Sequence, residues 1–291
     1  MLQKQLPIFL IFVAAFSWAS AGVFIKLLPQ YGAFEILSLR FLISSIILTL
    51  FLILNNRLIS IVKELKNRNI WILIIHLLGC YYFGTIAFTL APIGETSLLM
   101  AVSPLFVFLY NYFFQQEKIY KKEIIGFSLA VIGIFIFLYL KQDTNKITQL
   151  YGNISAILVG VLFASYSILH KNKKYSSFSS LSVSYGMFIL MIVPAIYYSN
   201  NIINNTSLLS QEMLYIILIG IISTVIPTLS IIYVAQNLSA MATSSVFILE
   251  IFFGFLLGYL LFDEIQSFFL MFILSFILIG TILMVFKRKT L

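Results

Sequence analysis

The sequence predicts an all-α membrane protein: ten transmembrane helices arranged as two inverted five-helix repeats, with both termini cytoplasmic. Three observations carry that expectation. The 291 residues are 61% hydrophobic and only 10% charged, against roughly 45–50% and about 25% in soluble domains. The apolar residues fall in blocks of about 20, the length a helix needs to cross ~30 Å of hydrocarbon at 1.5 Å per residue. Lys and Arg gather in alternate connections between those blocks.

In order, the blocks place spans at about 6–28, 34–54, 70–90, 95–114 and 122–140, then at about 152–170, 179–198, 213–234, 239–262 and 265–286. The first repeat is therefore 6–140 and the second 152–286. Continuously apolar runs select helices over a β-barrel, whose strands alternate in polarity. The narrowest division is the Ala235–Leu238 break between the eighth and ninth spans. Ala19-Ser20-Ala21 resembles a signal-peptide cleavage site, but the apolar run around it is too long and its basic flank holds only Lys4, so it is read as the first span.

With the N-terminus inside, Lys4, Arg57, Lys63, Lys66, Arg68, Lys118, Lys121, Lys122, Lys171, Lys173, Lys174, Lys287, Arg288 and Lys289 are cytoplasmic. That leaves Lys26, Arg40, Lys141 and Lys146 on the outer half. This bias is what the positive-inside rule requires. The +8 net charge thus reports orientation and contact with anionic lipid head groups. Spread over several loops, it excludes a nucleic-acid site. A single cysteine, Cys80, excludes an internal disulfide and reads as a packing residue.

The repeat appears when the sequence is shifted by 147 residues. Glu117 then aligns with Glu264, Ser97 with Ser244, Thr96 with Thr243, Gly133 with Gly280, Phe16 with Phe163, Ser20 with Ser167, Lys26 with Lys173 and Phe41 with Phe188. Five helices per half make the second copy enter the bilayer from the opposite side. That architecture recurs in secondary transporters, with the site near the midplane between the halves.

Several stretches resemble the EamA-type transporters of the drug/metabolite transporter superfamily. They are Ser103-Pro104-Leu105-Phe106-Val107 followed by Glu117, and Leu249-Glu250-Ile251-Phe252 closing on Asp263-Glu264. Phe16-Ser17-Trp18-Ala19-Ser20, Leu39-Arg40-Phe41-Leu42 and Phe163-Ala164-Ser165-Tyr166 resemble the first, second and sixth helices. The resemblance implies ten helices, a five-plus-five repeat and metabolite transport, with export and amino acids favoured. Gln115-Gln116 and Phe262-Asp263 depart from the family's Leu-Gly before each Glu. Ile251 stands where the second repeat usually has proline, which removes an expected kink from the ninth helix.

Glu250 lies near the middle of its span, where a carboxylate costs roughly 2.5 kcal/mol or more unless protonated, paired or wetted. It is a candidate for proton coupling or for a substrate amine, the bland alternative being a protonated side chain holding two helices together. Arg40 could clamp a substrate carboxylate; the favoured structural reading has it snorkelling or pairing with Glu35 or Glu95. Lys26 is expected to snorkel, His76 to pack and His170 to sit at the inner surface. Trp18, Tyr81, Tyr82 and Tyr166, with the hydroxyls of Ser20, Ser97, Ser103, Ser230, Ser244 and Ser245, could line an apolar-aromatic cavity; such groups also simply pack or bond their own helix. Pro104, Pro194 and Pro227 are hinge candidates. Gly254 and Gly258 form a GxxxG suited to close packing within the bundle rather than to dimerisation, so a monomer or weak homodimer is expected.

Two histidines and one cysteine supply no metal constellation, and no cofactor is expected. No nucleophile elbow or phosphate loop supports a membrane-embedded enzyme on lipid-linked substrates. The expected partners are a small-molecule substrate, the lipid bilayer and protons as coupling ion. The expected location is a bacterial inner membrane, with residue usage suggesting an AT-rich genome. A multidrug or cation efflux carrier is the alternative to metabolite export.

Overall fold

The computed structural model describes residues 2–115, 120–140, 147–205, 211–264 and 268–285. Glu117, Lys118, Lys141, Lys146, Lys287, Arg288 and Lys289 lie outside them. Among the described residues every regular element is helical. The first half contains α1 (Leu2–Lys26), α2 (Ala33–Leu54), α3 (Leu58–Leu65), α4 (Arg68–Leu90), α5 (Ile93–Met100), α6 (Ser103–Phe114) and α7 (Lys121–Leu140). The second contains α8 (Ile147–Leu169), α9 (Lys173–Ser176), α10 (Ser180–Leu190), α11 (Ile192–Asn205), α12 (Gln211–Gly220), α13 (Ile226–Asn237), α14 (Ala240–Ser244), α15 (Val246–Phe262) and α16 (Phe268–Val285). A π-helical turn, Ile221–Val225, joins α12 to α13.

Eight stretches are long and apolar enough to cross a membrane: 6–26, 33–54, 68–90, 93–114, 147–169, 180–198, 211–237 and 240–262. Each coincides with an expected span. The 20-residue α7 and the 18-residue α16 occupy the fifth and tenth positions. Large apolar side chains such as Phe9, Phe12, Leu50, Ile53 and Phe252 point outward, a surface that suits hydrocarbon and not water.

Besides the eighth span with its π turn, three spans are not single helices, for reasons local to their sequences. The fourth breaks between α5 and α6, where Pro104 sits in the first turn of α6. Proline fits there because the first helical N–H groups lack partners anyway. The seventh breaks at Met191, three residues before Pro194. The ninth breaks at Ser245 and then runs as α15 straight through Ile251, as expected from the missing proline. Two short elements, α3 and the four-residue α9, have no counterpart among the expected spans. The amphipathic α3 buries Ile61 and Leu65 while leaving Ile59 exposed, and its Glu64 accepts the Ser179 N–H at 3.1 Å, tying it to the start of α10.

α7 and α16 pack on one another through small residues. A Cβ added at Gly280 would lie 2.5 Å from the Gly126 carbonyl oxygen and 2.7 Å from the Ala130 nitrogen. One at Gly133 would lie 2.7 Å from Ile277. The backbones therefore touch, as small residues allow between membrane helices. Gly280→Leu should separate them and lower the unfolding temperature in detergent, at an overpacking cost of about 1–3 kcal/mol. Gly84→Ala is the control: its added methyl meets nothing closer than the flexible end of Met100 at 3.5 Å, so thermal unfolding should be unchanged or slightly improved.

Candidate functional site

Both halves line a partly open cavity with about 400 Å³ of atom-free space, its open mouth included. α1 supplies Trp18 and Ala21, α2 supplies Arg40, and α4 supplies Cys80, Tyr81, Gly84, Thr85 and Phe88. Met100 of α5, Val159 and Phe163 of α8, and Phe247 and Glu250 of α15 complete the wall. A mostly apolar and aromatic lining with few polar groups is the usual composition of a small-molecule site.

One side is aromatic. Trp18 stacks on Phe247 with centroids 5.7 Å apart and planes 18° apart. It also meets Phe163 edge-on at 5.5 Å. Its indole N–H donates to the Tyr81 hydroxyl at 3.0 Å, so the ring is fixed by a hydrogen bond as well as by packing. That hydroxyl also bonds the Thr228 hydroxyl at 2.5 Å.

Arg40 is 2% exposed and pairs with neither Glu35 nor Glu95. Nε donates to Thr224 Oγ1 at 2.7 Å and Nη2 to the Ser223 carbonyl at 2.5 Å. The cause lies four residues further along: Pro227 has no N–H to close on the Ser223 carbonyl. The freed acceptor, at membrane depth, takes a guanidinium donor instead. Ser44 reinforces the contact by donating to the Gly220 carbonyl at 2.9 Å. The guanidinium stands 5.0 Å from the centre of the Tyr81 ring, a cation–π distance. Only two of its five donors are occupied by these bonds.

Glu250 is 1% exposed. Its polar neighbour is Ser97, yet both carboxyl oxygens and the Ser97 hydroxyl are buried without a formed hydrogen bond. The approach of α5 is set by Gly254, one turn beyond Glu250, where a Cβ would fall 2.5 Å from Ser97 Oγ.

The remaining candidates are spread out. Ser20 donates to the Ser17 carbonyl at 2.7 Å and meets the Ser223 hydroxyl at 2.9 Å, behind the Arg40 site. Ser230, Ser244 and Ser245 bond their own helices, to Ile226, Met241 and Ala242, and none lines the cavity. Tyr82 points away, half-buried against Phe34 and Phe83. Ser103 and Tyr166 are buried with unpartnered hydroxyls; the Tyr166 ring packs on Phe163 and on His170. His76 is half-buried and bonds the Ile72 carbonyl at 2.7 Å. Phe247, Met100, Ser223 and Thr224 are site residues that sequence reasoning missed. For Ser223 and Thr224 a signal existed: polar residues three and four positions before a mid-span proline.

Residues 5–139 match the model of the EamA-like transporter family. The resemblance read from the sequence holds over that stretch, and the apolar helices are those of a multi-pass membrane protein. No curated protein matches the chain. A solved structure, titled only as the crystal structure of a protein, superimposes with a TM-score of 0.65 at 17% identity, covering 96% of each chain. That likeness speaks for the fold alone. Among the described residues no group of His, Cys, Asp or Glu is placed to hold a metal ion.

The two tyrosines near the cavity should respond differently to loss of the hydroxyl. Tyr81→Phe leaves the Trp18 N–H without its partner, while the Thr228 hydroxyl keeps its bond to the Thr224 carbonyl, and should cost about 1–3 kcal/mol. Tyr166→Phe removes a hydroxyl that bonds nothing and should leave stability unchanged or raised. Thermal unfolding of both purified variants checks the pair.

Proposed function

We propose that this protein is a secondary transporter that exports small amphipathic metabolites, amino acids or related compounds, across a bacterial inner membrane by alternating access, with protons as coupling ion. Glu250 carries the reading: a carboxyl deep in its apolar span, in the wall of an aromatic cavity, with neither oxygen in a formed hydrogen bond among the described residues. A structural carboxyl at that depth is expected to spend its oxygens on neighbouring helices. An unspent one is available to a proton or to a substrate ammonium. Arg40, on α2, offers its unoccupied donors to a substrate carboxylate. A cavity with an acid and a guanidinium in its wall suits a zwitterion.

Alternating access needs two halves that can exchange roles, and contacts between positions 147 apart support an inverted five-plus-five repeat. The Tyr81–Thr228 hydrogen bond joins two residues separated by 147. Phe41 meets Phe188, 147 residues on, at 5.4 Å. The Gly133–Ile277 contact exchanges with the Gly280–Ala130 contact under the same shift. Such pairs are expected where an approximate twofold axis passes. Ten membrane crossings with both termini cytoplasmic follow from this arrangement, with α7 and α16 as the fifth and tenth.

A second reading, efflux of lipophilic cations, is favoured by a different observation. Trp18, Phe163 and Phe247 pack together beside a single carboxylate, and aromatic faces attract cations. Counterflow in proteoliposomes separates the two, using amino acids, nucleobases, S-adenosylmethionine and cationic drugs, with and without a pH gradient. Zwitterions exchanging while simple cations do not would favour metabolite export; the reverse would favour the second reading. Glu250→Gln should abolish stimulation by the pH gradient while leaving counterflow measurable. Gradient-driven transport that survives in this variant would make Glu250 a structural residue.

A further inference from the structure

At the basic end of the bundle, α2 stops on a tight left-handed turn. Asn56 takes φ 54°. Its N–H bonds the Ile53 carbonyl at 3.0 Å, and the Arg57 N–H bonds the Leu52 carbonyl at 2.9 Å. In this way an αL residue satisfies the last carbonyls of a helix and turns the chain aside. α3 follows at Leu58, and only two residues separate its end from the start of α4. α3 is therefore held where the second and third spans meet the membrane surface. The Trp71 indole, in the first turn of α4, donates to the Leu65 carbonyl at 2.9 Å, and tryptophan is a side chain that settles at that level. Ile61 and Leu65 turn inward. Ile59, Val62, Lys63 and Lys66 fall at i, i+3, i+4 and i+7, along one helical face. All four are exposed, Ile59 by 73%.

The second half adds its own cations to this end. Glu64 accepts the Ser179 N–H at 3.1 Å. Leu65 fills the space left by Gly186 of α10, 2.7 Å from where a Cβ would stand. Gln236, near the end of α13, donates to the Phe178 carbonyl at 2.7 Å. Lys171, Lys173 and Lys174, all exposed, stand on the turn just before these contacts. Together with Arg57, Lys63, Lys66 and Arg68 they face a single acid, Glu64, among residues 55–69 and 171–180. We infer that α3 and the 171–174 turn form a binding site for the head group of an anionic phospholipid, with α3 lying in the plane of the interface. Its lysines snorkel to the phosphate while Ile59 and Val62 enter the acyl boundary. A free phosphate would meet the cations but leave both apolar side chains in water; a phospholipid covers both. Basic loops attract anionic leaflets diffusely. This site differs because an apolar stripe and cations from both halves are tied to one another by the bonds from Glu64 and Gln236. It requires a membrane around the bundle but no transport, so it stands or falls separately from the transport reading.

The test titrates the purified full-length protein in detergent with dioleoylphosphatidylglycerol or dioleoylphosphatidylcholine. Thermal unfolding is followed, and native mass spectrometry counts the lipid retained. The phosphatidylglycerol should raise the unfolding midpoint and stay bound, the phosphatidylcholine much less so. Lys63→Gln and Lys174→Gln, one from each half, should each weaken phosphatidylglycerol binding by about fivefold. Lys121→Gln, which removes an exposed cation on α7, should leave it unchanged. Ile59→Ser should weaken phosphatidylglycerol binding too, while inorganic phosphate at matched ionic strength should stabilise neither this variant nor the wild type. All four side chains are exposed, so the variants should keep the wild-type midpoint without added lipid. Equal retention of the two lipids would overturn the site, as would a loss in Lys121→Gln as large as in Lys63→Gln. Sensitivity to Lys63→Gln but not to Lys174→Gln would overturn the contribution of the second half. Stabilisation by inorganic phosphate that matches the phosphatidylglycerol and survives Ile59→Ser would show a free-anion site and overturn the lipid assignment.

Discussion

A carbonyl freed by proline inside hydrocarbon must find a donor within the protein, and much of the site follows from one such carbonyl. Pro227 deprives Ser223 of its helical partner, and the π turn before it displaces the neighbouring backbone. Arg40 supplies the missing donor and a second bond to Thr224. This fixes a guanidinium deep in the bundle, where it would otherwise be expelled toward the interface. Tyr81 then stands over the cation, bonds Thr228 and holds the Trp18 indole. One missing N–H on α13 thus positions side chains from α1, α2 and α4 at one wall of the cavity.

The Glu250 side of the cavity works by the reverse logic. Glu250 reaches the cavity on a helix unbroken from Val246 to Phe262, whose carbonyls are satisfied within the helix. Nothing local calls for the carboxylate, and no protein group spends its oxygens. The cost of burial is therefore not recovered by structure, as it is for Arg40. That difference is the physical ground for proposing a dual structural and binding role for Arg40 and a functional one for Glu250.

Span positions were legible in the sequence because hydrocarbon thickness sets helix length, and a run such as Ala33–Leu54 has no other use in water. Glu250, Arg40, Trp18 and Tyr81 were legible for a related reason: charge and amphipathic rings are conspicuous in an apolar run. The helical partners of a hydroxyl are not. Ser230, Ser244 and Ser245 look like Ser20 in the sequence, yet they bond their own helices while Ser20 reaches Ser223 on another. Rotation about the helix axis decides which, and these helices are apolar all round, so no amphipathic face reports it. Phe247 and Met100 were hidden for the same reason among many similar apolar neighbours. The short α3 was missed because eight residues of surface helix leave little periodic signal beside 20-residue spans.

The relation between the halves separates scaffold from site. Residues where the halves meet keep their type or size across the shift of 147: Phe41 with Phe188 and Gly133 with Gly280. The polar cavity residues do not, although the apolar Phe163 matches Phe16. Glu250 corresponds to Ser103, Arg40 to Met187, Trp18 to Ser165 and Tyr81 to Thr228. A frame in which the halves exchange roles needs equivalent contacts on both sides of its axis, since each half must accept the arrangement the other has just left. A ligand with distinct ends needs the opposite, a carboxyl on one wall and a guanidinium on another without duplicates. Duplicated charges would leave a buried acid or base unpaired in every state, at several kcal/mol each. On the proposed transport reading, the divergence of the halves at the cavity, against their likeness at the axis, is what a symmetric machine carrying an asymmetric solute would require.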